Sequence, residues 1–344
     1  MGRCGMLNRK KATGIIIAVS AALIIAIVAV CDFVAKQKVT ETVDYAMGAI
    51  ITQKIEGKNG EEIANEIIEK IKETETDISW RIESGEIALL NENKKATVSQ
   101  STKTYLLDII DVCEKSNGAV DLTVGRLTNE WNIGSDDFHI PEDEVLDEIL
   151  SGVDYEKISF DSDTVSIGEN QLVDLGFVGK GIACDEAKKI LEKHGVQRGI
   201  ISVGGSLCLH GEGTFSVGIR NPLGSVNDYM ATLTVEESFV STSGNYERFS
   251  EKDEKKYHHI LSTETGYPVE NNLLSVTIVC DSGLLSDALS TACYCLGYEE
   301  SLALLKEYNA EAVFIFDDNT VRVTSGLEGN LEINNNEFKL WKEN

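Results

Sequence analysis

Three stretches of the chain hold residue types whose spacing could do chemistry. In Ser286-Asp287-Ala288-Leu289-Ser290-Thr291, Asp287 and Thr291 stand four apart, so on a helix their oxygens face the same way. A carboxylate with a hydroxyl is an oxygen-only pair, suited to a hard cation such as Mg²⁺. The alternative is that Asp287 caps or solvates a helix. In Leu175–Ala187, LGFVGKGIACDEA, the glycines Gly176, Gly179 and Gly181 surround Lys180 ahead of a helix. Glycine turn, lysine and helix N-terminus together make a phosphate site, or else a structural turn with a surface lysine. In Lys256–Val269, KYHHILSTETGYPV, two of the five histidines are adjacent. On an extended strand His258 and His259 point to opposite faces, so at most one reaches a given site. That one would be a proton shuttle near neutral pH; otherwise both are hydrogen-bonded structural histidines.

These stretches need elements to position them. Asp44–Gly57 reads as a first strand with a glycine after Met47. Ile63, Ile67, Ile68 and Ile71 mark a helix across 60–77, and Leu106, Ile109, Ile110 and Cys113 mark another over 102–115, ended by Asn117-Gly118. Ser84–Asn91 is a polar turn into a short apolar stretch. Val173–Gly181 reads as a strand leading to the glycine turn, with a helix over 183–194. Strands are expected at 199–203, 214–219, 229–235 and 274–279, helices at 284–296 and 299–308, and a hairpin at 312–316 and 320–324. The tail from Glu328 is polar. Mixed helices and antiparallel strands predict an α+β fold in one domain, residues 36–344, with no repeat and no linker.

Hydrophobic content of 42% is that of an ordinary core-forming protein. The net charge is −26, and Arg3, Arg9, Lys10 and Lys11 are the only charges before Asp32, so the rest is more acidic still. Such a surface repels nucleic acid, and an anionic ligand must be held by local cations, a metal or backbone N–H groups. The eight cysteines form no CxxC pair and read as small buried hydrophobes. Gly14–Cys31 holds eighteen residues without a charge, spanning about 27 Å as a helix. With Arg9-Lys10-Lys11 before it, residues 1–35 are expected to anchor the chain in a membrane with the domain outside. Cys31 after Val28-Ala29-Val30 is a loose lipoprotein-type site, and an uncleaved anchor is the preferred reading.

In their order along the chain these segments resemble the ApbE family of FAD:protein FMN transferases, from Met47-Gly48 to the strand at 312–316. The resemblance runs through Ser84–Asn91, the GAxDxTVGxLxxxW of Gly118–Trp131 and the DLGxxxKGxAxD of Asp174–Asp185. It continues through Gly204-Gly205, the TSGxYER of Thr242–Arg248, HHI…TG at His258–Gly266 and DALSTA at Asp287–Ala292. Where many relatives read Asp-Pro after HHI-x, this chain has Ser262-Thr263.

The resemblance implies an ApbE-like, T-fold-like α+β domain that moves FMN from FAD onto a threonine or serine hydroxyl and releases AMP. It implies Mg²⁺ held by Asp287, Thr291 and the carbonyl of Gly179, and His259 as the catalytic histidine. It places Lys180 and Asp185 in the FAD-binding segment, with Met47, Gly118, Asp121, Thr123, Gly125, Thr242, Ser243 and Gly244 also binding the flavin nucleotide. The implied acceptor is an exported flavoprotein or a membrane electron-transfer subunit of the Rnf or Na⁺-translocating NADH:quinone reductase type. A Mg²⁺-dependent FAD pyrophosphatase and a flavin carrier without turnover are the competing readings.

Overall fold

The computed structural model describes residues 38–341 apart from Val226. The expected membrane anchor and the possible lipoprotein site lie outside the described residues. Among the described residues no helix is long and apolar enough to cross a membrane.

The elements follow in chain order as β1 (Val39–Ala46), β2 (Ala49–Glu56), α1 (Gly60–Ile78), α2 (Glu86–Asn93), β3 (Lys95–Thr97), α3 (Gln100–Lys115), α4 (Gly125–Trp131) and α5 (Asp143–Leu150). Next come β4 (Ser159–Asp161), β5 (Thr164–Ser166), α6 (Gly179–Lys193), β6 (Arg198–Val203), β7 (Ser206–Gly211), β8 (Phe215–Arg220), β9 (Tyr229–Val235) and β10 (Ser238–Gly244). The chain ends with β11 (Phe249–Lys252), β12 (Lys255–His258), β13 (Leu273–Cys280), α7 (Gly283–Leu296), α8 (Tyr298–Glu307), β14 (Glu311–Phe316), β15 (Thr320–Val323), β16 (Leu331–Ile333) and β17 (Lys339–Leu340).

Nine strands form one sheet in the order β1-β2-β6-β7-β10-β13-β14-β15-β17, antiparallel except for the last pair. Strand alternation sends Ile51 and Ile55 of β2 and Ile201 and Val203 of β6 to one face. There they meet Ile63, Ile67 and Ile71 of α1 and Ala183, Ala187 and Leu191 of α6. The opposite face carries the small sheet β16-β9-β8 through Val217, Leu233, Val313 and Ile315. A second core beneath α3 and α7 joins Leu106 and Ile109 to Ala288, Leu289 and Ala292. The result is a layered α+β domain, as the alternation of periods predicts.

The structure corrects four expectations. The first strand is a hairpin: Met47 and Gly48 both adopt positive φ, 54° and 66°, and reverse the chain in a two-residue turn. Methionine is no signal for that conformation, so the turn was hidden. Ser84–Asn91 mostly belongs to α2, whose Ile87 and Leu90 are buried. Val173–Gly181 is no strand: the Asn91 side chain bonds both backbone groups of Val173, and α6 opens at Gly179 rather than near Ala183. The tail is not merely polar, because β16 pairs with β9 and β17 with β15, and Leu331 and Phe338 are buried.

Candidate active site

The site lies where α6 and α7 cross at their N-termini, beside the end of β10. The crossing depends on two glycines. A Cβ on Gly181 would stand 2.0 Å from the carbonyl oxygen of Gly283, and one on Gly283 would stand 2.2 Å from that of Gly181. No side chain fits between the two backbones.

Each helix caps the other. The N–H groups of Gly283 and Leu284 donate to the Asp185 carboxylate at 2.8 Å each, and the Ser282 hydroxyl adds a longer bond of 3.4 Å. In return the Gly181 N–H donates to Asp287 Oδ2 at 2.6 Å. Helix N-termini leave N–H groups without partners and favour negative charge, so the two aspartates lock the crossing from both sides. Burial pushes the Asp185 carboxyl up, against the pull of the Leu284 and Gly283 N–H groups. Asp185→Ala strands two buried donors and is expected to cost about 1–3 kcal/mol. Urea unfolding measures this, and an unchanged midpoint would mean the reciprocal caps do not hold the crossing.

α7 is also pinned to β10 by hydroxyls. Ser241 bonds Ser286 at 2.7 Å, and Ser243 bonds Ser290 at 2.7 Å and Thr291 at 3.0 Å. Asp287 and Thr291 thereby present their oxygens to one cavity of about 300 Å³, as their spacing predicts. Lys180, Asp121, Thr242, Ser243 and His259 line the same cavity. Its apolar wall comes from Val120, Val124, Trp131, Phe177, Ile260 and Leu261. A wider groove of about 1180 Å³ continues outward past Met47, Gly179 and Gly205, sharing Lys180, Thr242, Glu247 and Arg248 with the cavity.

The two histidines part company. His259 Nδ1 lies 3.1 Å from the Arg248 carbonyl oxygen, which can only accept. The proton therefore sits on Nδ1 and leaves the Nε2 lone pair free. Burial holds the His259 imidazole down to about 4. His258 ends β12 and turns away: its Nε2 donates to the Val269 carbonyl at 3.0 Å, and its Nδ1 accepts from the Ile260 N–H at 3.3 Å. It lines a separate recess behind the loop, together with Gly118.

Several other sequence candidates hold the frame, Asp121 while also lining the cavity. Gly118 has φ of 76°, and its carbonyl accepts the Thr263 hydroxyl at 2.6 Å. Asp121 reaches the cavity, but its carboxylate also accepts the N–H and hydroxyl of Thr123, both at 2.7 Å, and the Tyr155 N–H at 2.9 Å. Thr123 is buried and its hydroxyl takes the Asp154 N–H. Gly125 lies so close to Leu172 that a Cβ would stand 2.1 Å from that side chain. Gly244 packs against the Tyr246 ring in the same way. Asp185 is the cap described above. The Ser262 hydroxyl accepts the N–H groups of Glu264 and Thr265, both at 3.2 Å. That is the turn-closing pattern an aspartate makes, so the loop keeps a side-chain anchor although Ser262-Thr263 stands where relatives have Asp-Pro.

Lys180, already assigned to the FAD-binding segment, is joined by residues to which sequence reasoning gave no role. Arg81, Lys180 and Arg248 line the cavity and Arg220 the groove. Among the described residues none of the four has an ion-pair partner within 4 Å. The carboxylates of Asp121, Asp174, Glu247 and Asp287 line the same cavity, so these cations are local contacts for an anion rather than a net positive patch. Glu247 faces the same space; burial raises its carboxyl, while Lys180 opposes the shift. The YER letters of Thr242–Arg248 were the signal for Glu247 and Arg248; nothing in the sequence marked Arg81 or Arg220.

The model of the ApbE family matches residues 47–314. An FAD:protein FMN transferase of Treponema pallidum is 31% identical over 300 residues, covering 80% of this chain and 83% of that protein. One from Escherichia coli K12 is 31% identical over 220 residues, covering 61% and 63%. Among solved structures, the ApbE protein of Thermotoga maritima superposes with a TM-score of 0.79 at 26% identity, covering 85% of this chain and 99% of that one. The flavinyl transferase ApbE of Pseudomonas stutzeri gives 0.74 at 25% identity, covering 85% and 96%.

Proposed function

The chain belongs to the ApbE family, and from that premise we propose that it is an FAD:protein FMN transferase, moving FMN from FAD onto a threonine or serine hydroxyl of an acceptor protein. The observation that carries this reading is the single cavity in which Asp287, Thr291 and Lys180 face His259.

The donor set fits Mg²⁺. Asp287 and Thr291 offer oxygen only, with the Ser243 hydroxyl 3.0 Å from that of Thr291, and hard cations take oxygen ligands. Gly179 opens α6, so its carbonyl enters the helical ladder and offers its second lone pair. When bound there, Mg²⁺ supplies charge neutralisation on the phosphate oxygens. Lys180, Arg81 and Arg248 hold the pyrophosphate against the acidic surface, and the apolar wall takes the flavin ring. His259 Nε2 accepts the proton of the acceptor hydroxyl as its oxygen bonds the FMN phosphorus. The pyrophosphate bond breaks, and AMP leaves with the electron pair.

The test incubates the full chain in detergent with FAD, Mg²⁺ and a candidate acceptor of the Rnf or NADH:quinone reductase type, and reads the acceptor's mass. A gain of FMN supports transfer. AMP and FMN with an unmodified acceptor make the chain a pyrophosphatase, and bound, unreacted FAD makes it a carrier.

The cationic flank and uncharged run of residues 1–31 support a membrane anchor with the catalytic domain outside. Protease added to intact cells is expected to degrade the domain. Protection until lysis would reverse the orientation.

A further inference from the structure

Asp287 would serve as a cation ligand only if its carboxylate is held at one angle, and one residue outside the assigned set holds it. Ser206 opens β7 just after the Gly204-Gly205 turn and is 1% exposed. Its hydroxyl donates to Asp287 Oδ1 at 2.7 Å across 81 residues of sequence. The Gly181 N–H holds Oδ2 at 2.6 Å. One donor on each oxygen stops the carboxylate from turning about its own axis. Each oxygen keeps a second lone-pair direction for another ligand.

The two donors differ in kind. The Gly181 N–H belongs to the helix crossing and would be present whatever Asp287 did. The Ser206 hydroxyl has no other hydrogen-bond partner in the described structure, so the carboxylate is what satisfies it. Gly204, at a φ of 61°, makes the tight turn that leads directly into Ser206 at the start of β7.

We propose that Ser206 is a positioning residue that orients the Asp287 carboxylate toward the cation. The proposal rests on the reading of Asp287 as a cation ligand. Outer partners of this kind set ligand orientation, and their loss costs about 10- to 100-fold in metal affinity.

The experiment measures Mn²⁺ binding to the full chain by electron paramagnetic resonance, without FAD, alongside thermal unfolding. Ser206→Ala removes one atom and is expected to weaken Mn²⁺ binding by about 10- to 100-fold in protein that remains folded. Ser206→Thr keeps the hydroxyl and is expected to bind as the unaltered chain does. Unchanged Mn²⁺ affinity in Ser206→Ala, with loss in Asp287→Asn, would overturn the role of Ser206 alone. Equal loss in the alanine and threonine variants would overturn it too, because volume rather than the hydroxyl would then matter. Unchanged affinity in Asp287→Asn would instead remove the cation reading on which the proposal stands.

Discussion

Asp287→Asn is expected to lower Mg²⁺-dependent FAD cleavage by about 10³-fold or more while the fold survives. A bound cation stabilises charge on phosphoryl oxygens by several kcal/mol, and each ~1.4 kcal/mol is tenfold in rate. Asparagine is the better variant because the carboxylate also accepts from the Gly181 N–H and the Ser206 hydroxyl. Alanine would strand both donors and mix a stability loss of about 1–3 kcal/mol per donor into the result. The amide oxygen keeps one of those bonds and removes the charge. The measurement is AMP release over a Mg²⁺ titration, with thermal unfolding as the control for folding. Turnover within tenfold of the unaltered enzyme at saturating Mg²⁺ would remove the metal assignment of Asp287 and Thr291.

His259→Ala is expected to cut FMN transfer by about 10²- to 10⁴-fold, the contribution of a positioned general base. FAD binding should persist, because Lys180, Arg81 and Arg248 still line the cavity. His258→Ala should act less on transfer and more on stability, since its two bonds tie Val269 and Ile260 within the loop. The pH profile gives an independent check. The folded His259 is held down to about 4, so it stays neutral at any higher pH. The acid limb of kcat/KM, which reports the free enzyme, should therefore fall as pH drops through about 4. An unperturbed histidine would place that limb near 6.5. Single-turnover flavinylation, with FAD affinity from flavin fluorescence, separates chemistry from binding. A larger transfer loss in His258→Ala than in His259→Ala would reverse their roles. No loss in either would move proton removal to another group, with Glu247, which lines the same cavity, a candidate.

What the sequence by itself determined is what short-range pattern can carry. The period of Ile63, Ile67, Ile68 and Ile71 marks α1 because a buried helical face needs that spacing. Asp287 and Thr291 could be paired on one face because both lie on a single helix, four residues apart. Opposite fates for His258 and His259 were expected from strand alternation, but β12 ends at His258 and the turn beyond it sends His259 to the cavity; the choice between them came from the resemblance to ApbE proteins. The strands β6, β8, β9, β13, β14 and β15 were legible from short apolar runs, whereas β7 and β10 of the main sheet were not.

The tertiary structure decided everything that depends on contacts between distant segments. Asp185 and Asp287 are about a hundred residues apart, and only the Gly181–Gly283 crossing turns them into caps for each other's helices. Pattern within either helix cannot reveal this, because the partner N–H groups belong to the other one. Gly125 and Gly244 stood in glycine-bearing motifs that looked like ligand turns, yet their missing side chains make room for Leu172 and Tyr246. The distinction between a glycine that admits a ligand and one that admits a neighbour exists only once the neighbour is in place. The cations Arg81, Lys180, Arg220 and Arg248 come from four separate stretches of chain and come near one another only because the loop after α1, the start of α6, the end of β8 and the turn after β10 meet there. Which cations lie near one another is a property of three-dimensional position, so a net charge of −26 says that an anion needs local partners but not which residues they are.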